Sequence, residues 1–227
     1  MHLFFDLDNT VTRSRSKISP ALKAVLSNTE HDIIIVSGAT CAQIAWQVDG
    51  VNCYKLGQNG NHATKPDGNI LWEERLSQTD KDTINNHIAS IEKTWAVSDV
   101  TDLVQDRGCQ ISYSLLGHNE VLEKKEAFDP HSDVRKDILL KFPFNSKTID
   151  VKIGGTTCLD YTAKGKHKGF YVNRLIQELN WNKDDCIYFG DMLFPGGNDE
   201  SVIGVIKTQP VENPEDTQTQ LEKIGVK

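Results

Sequence analysis

The sequence lacks most of the features that assign a protein to a membrane, a nucleic acid or an oxidising compartment. No apolar run approaches the roughly 20 residues of a membrane-spanning helix, and the first apolar stretch stops at Asp6, so we expect no signal peptide. Lys and Arg number 25 against 32 Asp and Glu, and the resulting net charge of -7 argues against a binder of nucleic acids or membrane surfaces. The 5 cysteines are odd in number and form no C-x-x-C pair, which is typical of reduced thiols. We therefore expect a soluble cytoplasmic protein.

The order of predicted elements indicates an α/β fold interrupted by an inserted domain. Apolar runs that end in small or acidic residues alternate with helical stretches at both ends of the chain, as in a parallel sheet flanked by helices. The tail NPEDTQTQLEKIG predicts a last helix with Asn213 as its N-cap. The middle predicts helices and paired strands, including two strands around a Gly-Gly turn. We predict a Rossmann-like parallel-sheet core formed by residues 1–75 and 161–227, and an α+β domain at residues 76–160.

The first chemical motif is DLDNT, which follows the apolar run HLFF. Asp6 and Asp8 would repel each other there unless a cation lies nearby. Open parallel sheets bind ligands at the carboxyl ends of their strands, and Mg²⁺ prefers hard oxygen ligands. One carboxylate could attack phosphorus while the other handles the proton of the leaving group. The alternative is an ordinary strand end followed by a turn and a helix cap.

Two further motifs could bind an anion. In VSGAT, Ser37 offers a hydroxyl, and Gly38 lets backbone N–H groups approach a phosphate at a helix start, although an ordinary cap is the alternative. Lys168 lies near the start of a predicted helix, where the helix dipole disfavours a cation unless an anion is close. Lys168 could equally be a surface lysine.

The fourth motif, YFGDMLFPGGNDES, is the most specific. Asp191 ends a buried strand, and a Gly-rich turn presents Asn198 and Asp199, whose oxygens could complete a Mg²⁺ shell. Acids, a hydroxyl, a lysine and acids again supply the nucleophile, anion clamp and metal of phosphoryl transfer. A P-loop NTPase is excluded because the sequence contains no G-x-x-x-x-G-K-[ST] loop.

With these motifs in this order, the chain resembles the haloacid dehalogenase superfamily of phosphotransferases. The resemblance implies that Asp6 is the nucleophile and forms an aspartyl phosphate, and that Asp8 is the general acid and base. It implies that Ser37 and Lys168 hold the phosphoryl group. It places Mg²⁺ on Asp6, on the backbone carbonyl of Asp8 and on Asp191, and it identifies the insertion as a type IIB cap.

A narrower resemblance connects RGCQISYSLLGHN, IGGTTCLDY and the Pro-Gly-Gly-Asn-Asp run to eukaryotic-type phosphomannomutases. It implies that Arg107 of the cap binds the distal phosphate of a sugar bisphosphate and that Asp160 contacts the sugar. Other cap positions depart from the family pattern, because His118 and Lys124 or Lys125 stand where arginines are expected, and Cys158 replaces a serine.

These departures decide which activity the sequence favours. Lysine and histidine do not reproduce the rigid fork that arginine presents to phosphate, and a mutase must retain a bisphosphate while it turns over. We therefore expect a Mg²⁺-dependent phosphatase acting on a small phosphorylated metabolite, with a sugar phosphate as the expected class. The alternatives are a phosphomannomutase-like sugar phosphomutase and, less favoured, a catalytically silent binding protein. The sequence does not indicate the oligomeric state.

Overall fold

The computed structural model describes residues 1–226 and divides into two compact units. One unit is formed by Met1–Glu73 and the chain from Lys166 onward, and the other by Glu74–Gly165. The strands are β1 (His2–Phe5), β2 (Asp32–Val36), β3 (Tyr54–Gly57), β4 (His62–Thr64), β5 (Ile70–Glu73), β6 (Val104–Asp106), β7 (Gln110–Ser114), β8 (Ile149–Gly154), β9 (Cys158–Ala163), β10 (Cys186–Gly190) and β11 (Lys207–Pro210). The α-helices are α1 (Pro20–Asn28), α2 (Cys41–Val48), α3 (Gln78–Ser90), α4 (Leu122–Phe128), α5 (Asp133–Lys141), α6 (Lys168–Glu178) and α7 (Pro214–Lys223).

The first unit is built on a 7-stranded sheet in the order β11-β10-β1-β2-β3-β4-β5. The strands from β11 to β3 are parallel, and β4 and β5 add an antiparallel edge. Side chains of β1 alternate between the two faces, so Leu3 and Phe5 pack with α1, α2 and α7 while Phe4 packs with α6. Both faces are therefore covered by helices, which is why the central strands are continuous apolar runs.

The helices of this unit begin where the sequence supplies a cap. Ser19 caps α1, Thr40 and Gln43 form a capping box at α2, and Asn213 caps α7 as predicted. His167 caps α6 through a side chain that accepts a hydrogen bond from the Phe170 N–H group. These caps determine the residue at which each helix begins. The cap at His167 therefore makes Lys168 the first residue of α6.

The second unit contains a 4-stranded antiparallel sheet in the order β6-β7-β9-β8, together with α3, α4 and α5. Its own core includes Ile84, Tyr113 and Tyr161. A buried ion pair joins Asp129 to Arg135 Nε at 2.7 Å.

Several sequence predictions for this unit need correction. The predicted boundary between residues 160 and 161 would cut β9, which pairs with β7 and β8 as far as Ala163. Arg107 lies on no strand but in the connection between β6 and β7, where Gly108 has a positive φ of 87°. The helix α3 ends at Ser90, and α4 and β6 were not predicted because neither has a long apolar pattern.

Within residues 1–226, no helix combines the length and apolar character needed to span a bilayer.

Candidate active site

The carboxyl edge of the parallel sheet brings together charged residues from distant parts of the chain. Asp6 follows β1 and Asp191 follows β10, and these strands are parallel neighbours. The Asp6 N–H group donates to Phe189 O at 2.9 Å, which extends the strand pairing to the carboxylate. Strand register therefore places both aspartates at the carboxyl edge of the sheet. Open α/β sheets bind their ligands at this edge.

Lys168 links two of these carboxylates from the start of α6. Its side chain is 1% exposed, and Nζ donates to Asp6 Oδ1 at 2.5 Å and to Asp199 Oδ1 at 2.8 Å. The next residue explains how α6 comes so close. A Cβ on Gly169 would lie 1.8 Å from the backbone oxygen of Ser201, so only glycine allows this approach. The anions next to Lys168 are therefore carboxylates of the protein, and its contact with a phosphoryl group stays a prediction.

Three carboxylates of this edge could hold a divalent cation. One ligand oxygen from each of Asp6, Asp191 and Asp199 lies within 4.8 Å of the other two. Asp199 is fully buried, and its Oδ2 has no hydrogen-bond partner among residues 1–226. A Cβ on Gly190 would lie 2.6 Å from that oxygen, so only glycine allows the carboxylate to lie here. A buried carboxylate oxygen without a donor is costly. These hard oxygen donors therefore fit a Mg²⁺-like ion.

The electrostatics of the cluster also favour a bound cation. Burial raises the pKa of Asp6 well above its usual range, Asp199 and Asp191 raise it further, and Lys168 opposes them. Burial and then the charge of Asp199 raise the pKa of Asp191. For Lys168, burial lowers the pKa, but Asp199 and Asp6 together more than offset it and raise the pKa overall. One lysine charge thus faces three acids, so a cation would lower the cost of ionising all of them.

Asp8 lies outside this carboxylate cluster. Its Oδ1 accepts hydrogen bonds from the Arg15 N–H group at 2.9 Å and from Gln47 Nε2 at 3.3 Å. Gln47 is buried on α2 and also donates to Thr12 Oγ1 at 2.9 Å. The side chain of Asp8 is thus oriented by protein donors, which suits a group that moves a proton better than a side-chain metal ligand.

The two remaining predictions for this edge have different environments. Ser37 is buried directly after β2, and its Oγ accepts a hydrogen bond from the Ala39 N–H group at 3.1 Å. Gly38 is partly exposed, and the nearest atoms to a Cβ placed on it belong to the Asn59 side chain, at 3.7 Å. Asn198 is exposed, unlike the buried Asp199 beside it. Asn198 is therefore a weaker candidate than Asp199 for a metal ligand.

The inserted unit gathers polar side chains on β7 and β9. The Ser112 hydroxyl donates to Asp160 Oδ1 at 2.5 Å. Burial raises the pKa of Asp160, and Arg107 is the first of the groups that oppose this shift. Cys158 is buried, and its pKa is raised first by burial and then by the charge of Asp160. We call Ser112, Asp160, Arg107 and Lys125 the cap cluster.

Lys125 rather than Lys124 belongs to this buried environment. Lys125 is 4% exposed, and its Nζ donates to His118 O at 3.1 Å. Lys124 is half-exposed and donates to Glu120 at 2.6 Å. His118 is fully buried, with Nε2 donating to Ser112 O at 3.1 Å, so its ring supports the sheet rather than offering that nitrogen to a ligand.

Sequence reasoning missed several residues that shape these groups. Gln47 gave no signal because a glutamine on an amphipathic helix is ordinary, and Ser112 because it lies in an apolar strand. Tyr188, whose hydroxyl donates to Asp199 Oδ1 at 2.6 Å, looked like one more core residue of β10. Arg135, which donates to the carbonyls of the β8–β9 turn, looked like a surface residue of α5. The hydrogen-bond partner of a buried polar residue depends on the tertiary fold, so the local sequence does not indicate it.

Comparisons with known proteins agree with this geometry. A family model described as eukaryotic phosphomannomutase matches residues 33–226. The chain is 28% identical over 245 residues to phosphomannomutase 1 of Dictyostelium discoideum, covering 98% of this chain and 96% of that protein. It is 27% identical over 248 residues to phosphomannomutase 1 of Homo sapiens, covering 97% of this chain and 90% of that protein.

Among solved structures, the chain is similar to a haloacid dehalogenase-like hydrolase from Bacteroides thetaiotaomicron. The TM-score is 0.64 at 13% identity, and the match covers 98% of each chain. At that identity the likeness shows the fold, and the haloacid dehalogenase-like fold predicted from the sequence is confirmed.

Proposed function

This chain is an enzyme that belongs to the eukaryotic phosphomannomutase family, and from that premise we propose that it is a Mg²⁺-dependent hexose phosphomutase. The reaction would move a phosphoryl group between two hydroxyls of a sugar through an aspartyl phosphate on Asp6. The observation that carries the proposal is the contact of buried Asp6 with Lys168 inside a cluster of three carboxylates. The proposal reverses the preference for a phosphatase that we drew from the sequence, because the family match also spans the inserted unit.

The roles of the residues follow from their chemistry. Asp6 forms a bond to phosphorus as the sugar oxygen leaves, and Asp8 gives that oxygen a proton. Lys168 and Ser37 bind the oxygens of the phosphoryl group that is transferred, and the backbone N–H group of Gly38 is a further donor. In the second half, Asp8 takes a proton from the other hydroxyl, which attacks phosphorus and frees Asp6. Asp6, Asp191 and Asp199 would hold Mg²⁺, which would supply positive charge to offset the carboxylates and the phosphoryl oxygens.

Recognition of the sugar is assigned to the cap cluster. Arg107 and Lys125 supply positive charge for the phosphate that is not being transferred, and Ser112 and Asp160 supply a hydroxyl and a carboxylate for sugar hydroxyls. The Ser112–Asp160 hydrogen bond supports this assignment because it fixes the orientation of the carboxylate.

A phosphatase is the second candidate, and one observation favours it. His118 and Lys124, two of the cations expected for the distal phosphate, are engaged with Ser112 O and Glu120. A cap with fewer phosphate donors would retain a bisphosphate poorly. In that case water, rather than a sugar hydroxyl, would attack the aspartyl phosphate.

The deciding experiment measures product partition. The enzyme is given a hexose 1-phosphate, Mg²⁺ and a trace of hexose bisphosphate, and ³¹P NMR follows hexose 6-phosphate and inorganic phosphate. The proposal predicts mainly hexose 6-phosphate, whereas inorganic phosphate as the main product would establish the phosphatase.

The adjacent lysines provide a matched pair of variants for the same assay. Lys125→Ala should raise KM for the hexose phosphate about ten- to a hundredfold, because a charge-assisted hydrogen bond contributes about 1.5–3 kcal/mol. Lys124→Ala should have little effect, and an aryl phosphate should be turned over equally by both. Equal KM values for the two variants on the hexose phosphate would remove Lys125 from substrate recognition.

A further inference from the structure

Tyr188 is a polar residue in an otherwise apolar strand. It lies within β10, whose five residues are all buried, and it is itself fully buried. Its neighbours on that strand are Ile187 and Phe189, and a phenylalanine would fill nearly the same volume. A buried hydroxyl is costly unless it is hydrogen-bonded, so this hydroxyl has a specific partner to account for.

That partner is Asp199, the most buried of the three carboxylates. The Tyr188 hydroxyl donates to Asp199 Oδ1 at 2.6 Å, and Lys168 Nζ donates to the same oxygen at 2.8 Å. Two donors therefore converge on Oδ1. The other oxygen, Oδ2, is buried and has no partner among residues 1–226.

This asymmetry fixes the rotation of the carboxylate. A carboxylate held by donors on one oxygen presents the lone pairs of the other in a defined direction. Oδ2 lies close to Gly190, where a Cβ would be only 2.6 Å away, so a glycine at this position allows the orientation of the carboxylate. The same carboxylate has an oxygen within 4.8 Å of oxygens from Asp6 and Asp191.

We propose that Tyr188 is a positioning residue for the divalent cation, holding Oδ1 of Asp199 so that Oδ2 is available as a ligand. The inference rests on the proposed function, because it requires a cation at these carboxylates. Partners that orient a metal ligand commonly change metal affinity by about 10–100-fold when they are removed. Lys168 alone cannot replace the tyrosine, since its Nζ is shared with Asp6.

The test compares Tyr188→Phe with Tyr171→Phe in the full chain. Tyr171 is also fully buried in the first unit, and its hydroxyl donates to Asn61 Oδ1 at 2.8 Å, away from the carboxylates. Titration calorimetry with Mg²⁺, and Mn²⁺ binding followed by electron paramagnetic resonance, measure affinity without any substrate. We expect Tyr188→Phe to bind both ions about 10–100-fold more weakly, and Tyr171→Phe to bind them as the parent does.

A second measurement covers a loss of stability. The Tm measured without metal should fall by a similar amount in both variants, since each loses one buried hydrogen bond. The increase in Tm that Mg²⁺ adds should be smaller in Tyr188→Phe alone. In turnover, the Mg²⁺ concentration for half-maximal rate should rise for Tyr188→Phe, while kcat at saturating Mg²⁺ stays close to that of the parent.

The outcomes separate this inference from the proposed function. Mg²⁺ affinity in Tyr188→Phe equal to that of the parent, or reduced equally in Tyr171→Phe, would overturn the role of Tyr188 whatever the enzyme does to hexose phosphates. A parent protein that binds no Mg²⁺ would overturn it as well. A selective loss of Mg²⁺ affinity in Tyr188→Phe supports the role even if the enzyme releases inorganic phosphate instead of isomerising the sugar.

Discussion

Asp6 shows how burial can both hinder and prepare a nucleophile. An isolated carboxylate in a dry site favours its protonated form and would attack poorly. Lys168 opposes this effect through direct contact with Oδ1, while Asp191 and Asp199 reinforce it. The residue therefore depends on its neighbours for its ionised state, and a single substitution should separate bond formation from binding.

We predict that Asp6→Asn abolishes covalent phosphorylation, because an amide oxygen is a far poorer nucleophile than a carboxylate. Intact-mass spectrometry after mixing with an aryl phosphate should detect a phosphorylated chain in the parent and none in Asp6→Asn. Asp8→Asn is the control. It should still be phosphorylated by an aryl phosphate, whose leaving group needs little protonation, but should lose turnover by about 10²–10⁴-fold. Phosphorylated Asp6→Asn would require another nucleophile.

The raised pKa values of Asp6 and Asp191 predict how pH affects stability. In metal-free protein these acids hold protons at pH values where the unfolded chain has released them, so stability should fall as pH rises from about 4 through the folded pKa values. Mg²⁺ competes with those protons, so the Tm increase it adds should be larger near pH 8 than near pH 5. Scanning calorimetry measures both. An equal Mg²⁺ increment at the two pH values would show that these acids do not titrate with the metal.

At the scale of a secondary-structure element, α6 is placed by the glycine that follows its lysine. Gly169 lets the first turn of the helix lie against the backbone at Ser201, and its N–H group donates to Ser201 Oγ at 3.1 Å. This contact joins the helix to the segment that carries Asp199, so the two partners of Lys168 Nζ depend on one close approach.

Gly169→Ala should therefore destabilise the fold, against the usual trend for helices. An alanine at an unobstructed helical position would gain about 0.5–1 kcal/mol, but a Cβ 1.8 Å from a backbone oxygen forces a shift, and such overpacking costs about 1–3 kcal/mol. Urea unfolding gives the sign, and kcat should fall because Lys168 moves with the helix. The control is Gln177→Ala on the exposed face of α6, which should alter neither. A more stable Gly169→Ala would show that α6 adjusts freely.

The same elements show what the sequence could and could not predict. Helix starts were predictable where a short polar side chain such as Asn213 precedes a periodic run, and the ends of β1 and β10 were marked by Asp6 and Asp191. The choice between Lys124 and Lys125 could not be made, because it depends on which face of a short helix packs inward. Tyr188 could not be recognised, since its partner Asp199 is brought to it by a loop without periodicity. Pairwise contacts between distant segments are set by packing.

At the scale of the whole molecule, each unit carries its own sheet and its own buried cluster. The inserted unit has a further internal tie. Arg135 joins Asp129 to the carbonyls of Gly154 and Gly155, which fixes the turn that joins β8 and β9. The hydrophobic cluster of this unit is formed by residues from its own segment.

We predict that residues 74–165 fold as an isolated fragment. Trp95 is the only tryptophan in this segment, and its Nε1 donates to Leu115 O at 2.6 Å, so its fluorescence reports on the native packing. Urea should produce one cooperative transition that coincides with the loss of the circular dichroism signal. Arg135→Met should lower its midpoint, because removing one partner of a buried pair leaves Asp129 uncompensated, at a cost of about 3–5 kcal/mol. A gradual transition without a plateau would mean that the segment needs the rest of the chain.

The position of β1 in the middle of the first sheet has a consequence for biosynthesis. One neighbour, β2, ends at Val36, but the other, β10, ends at Gly190. At about 5–20 residues per second on the ribosome, β10 emerges roughly 8–30 s after β2. Throughout that interval the nascent chain exposes an apolar edge with unpaired backbone groups, a template for intermolecular association. We therefore expect the nascent chain to bind ribosome-associated chaperones until β10 has been synthesised.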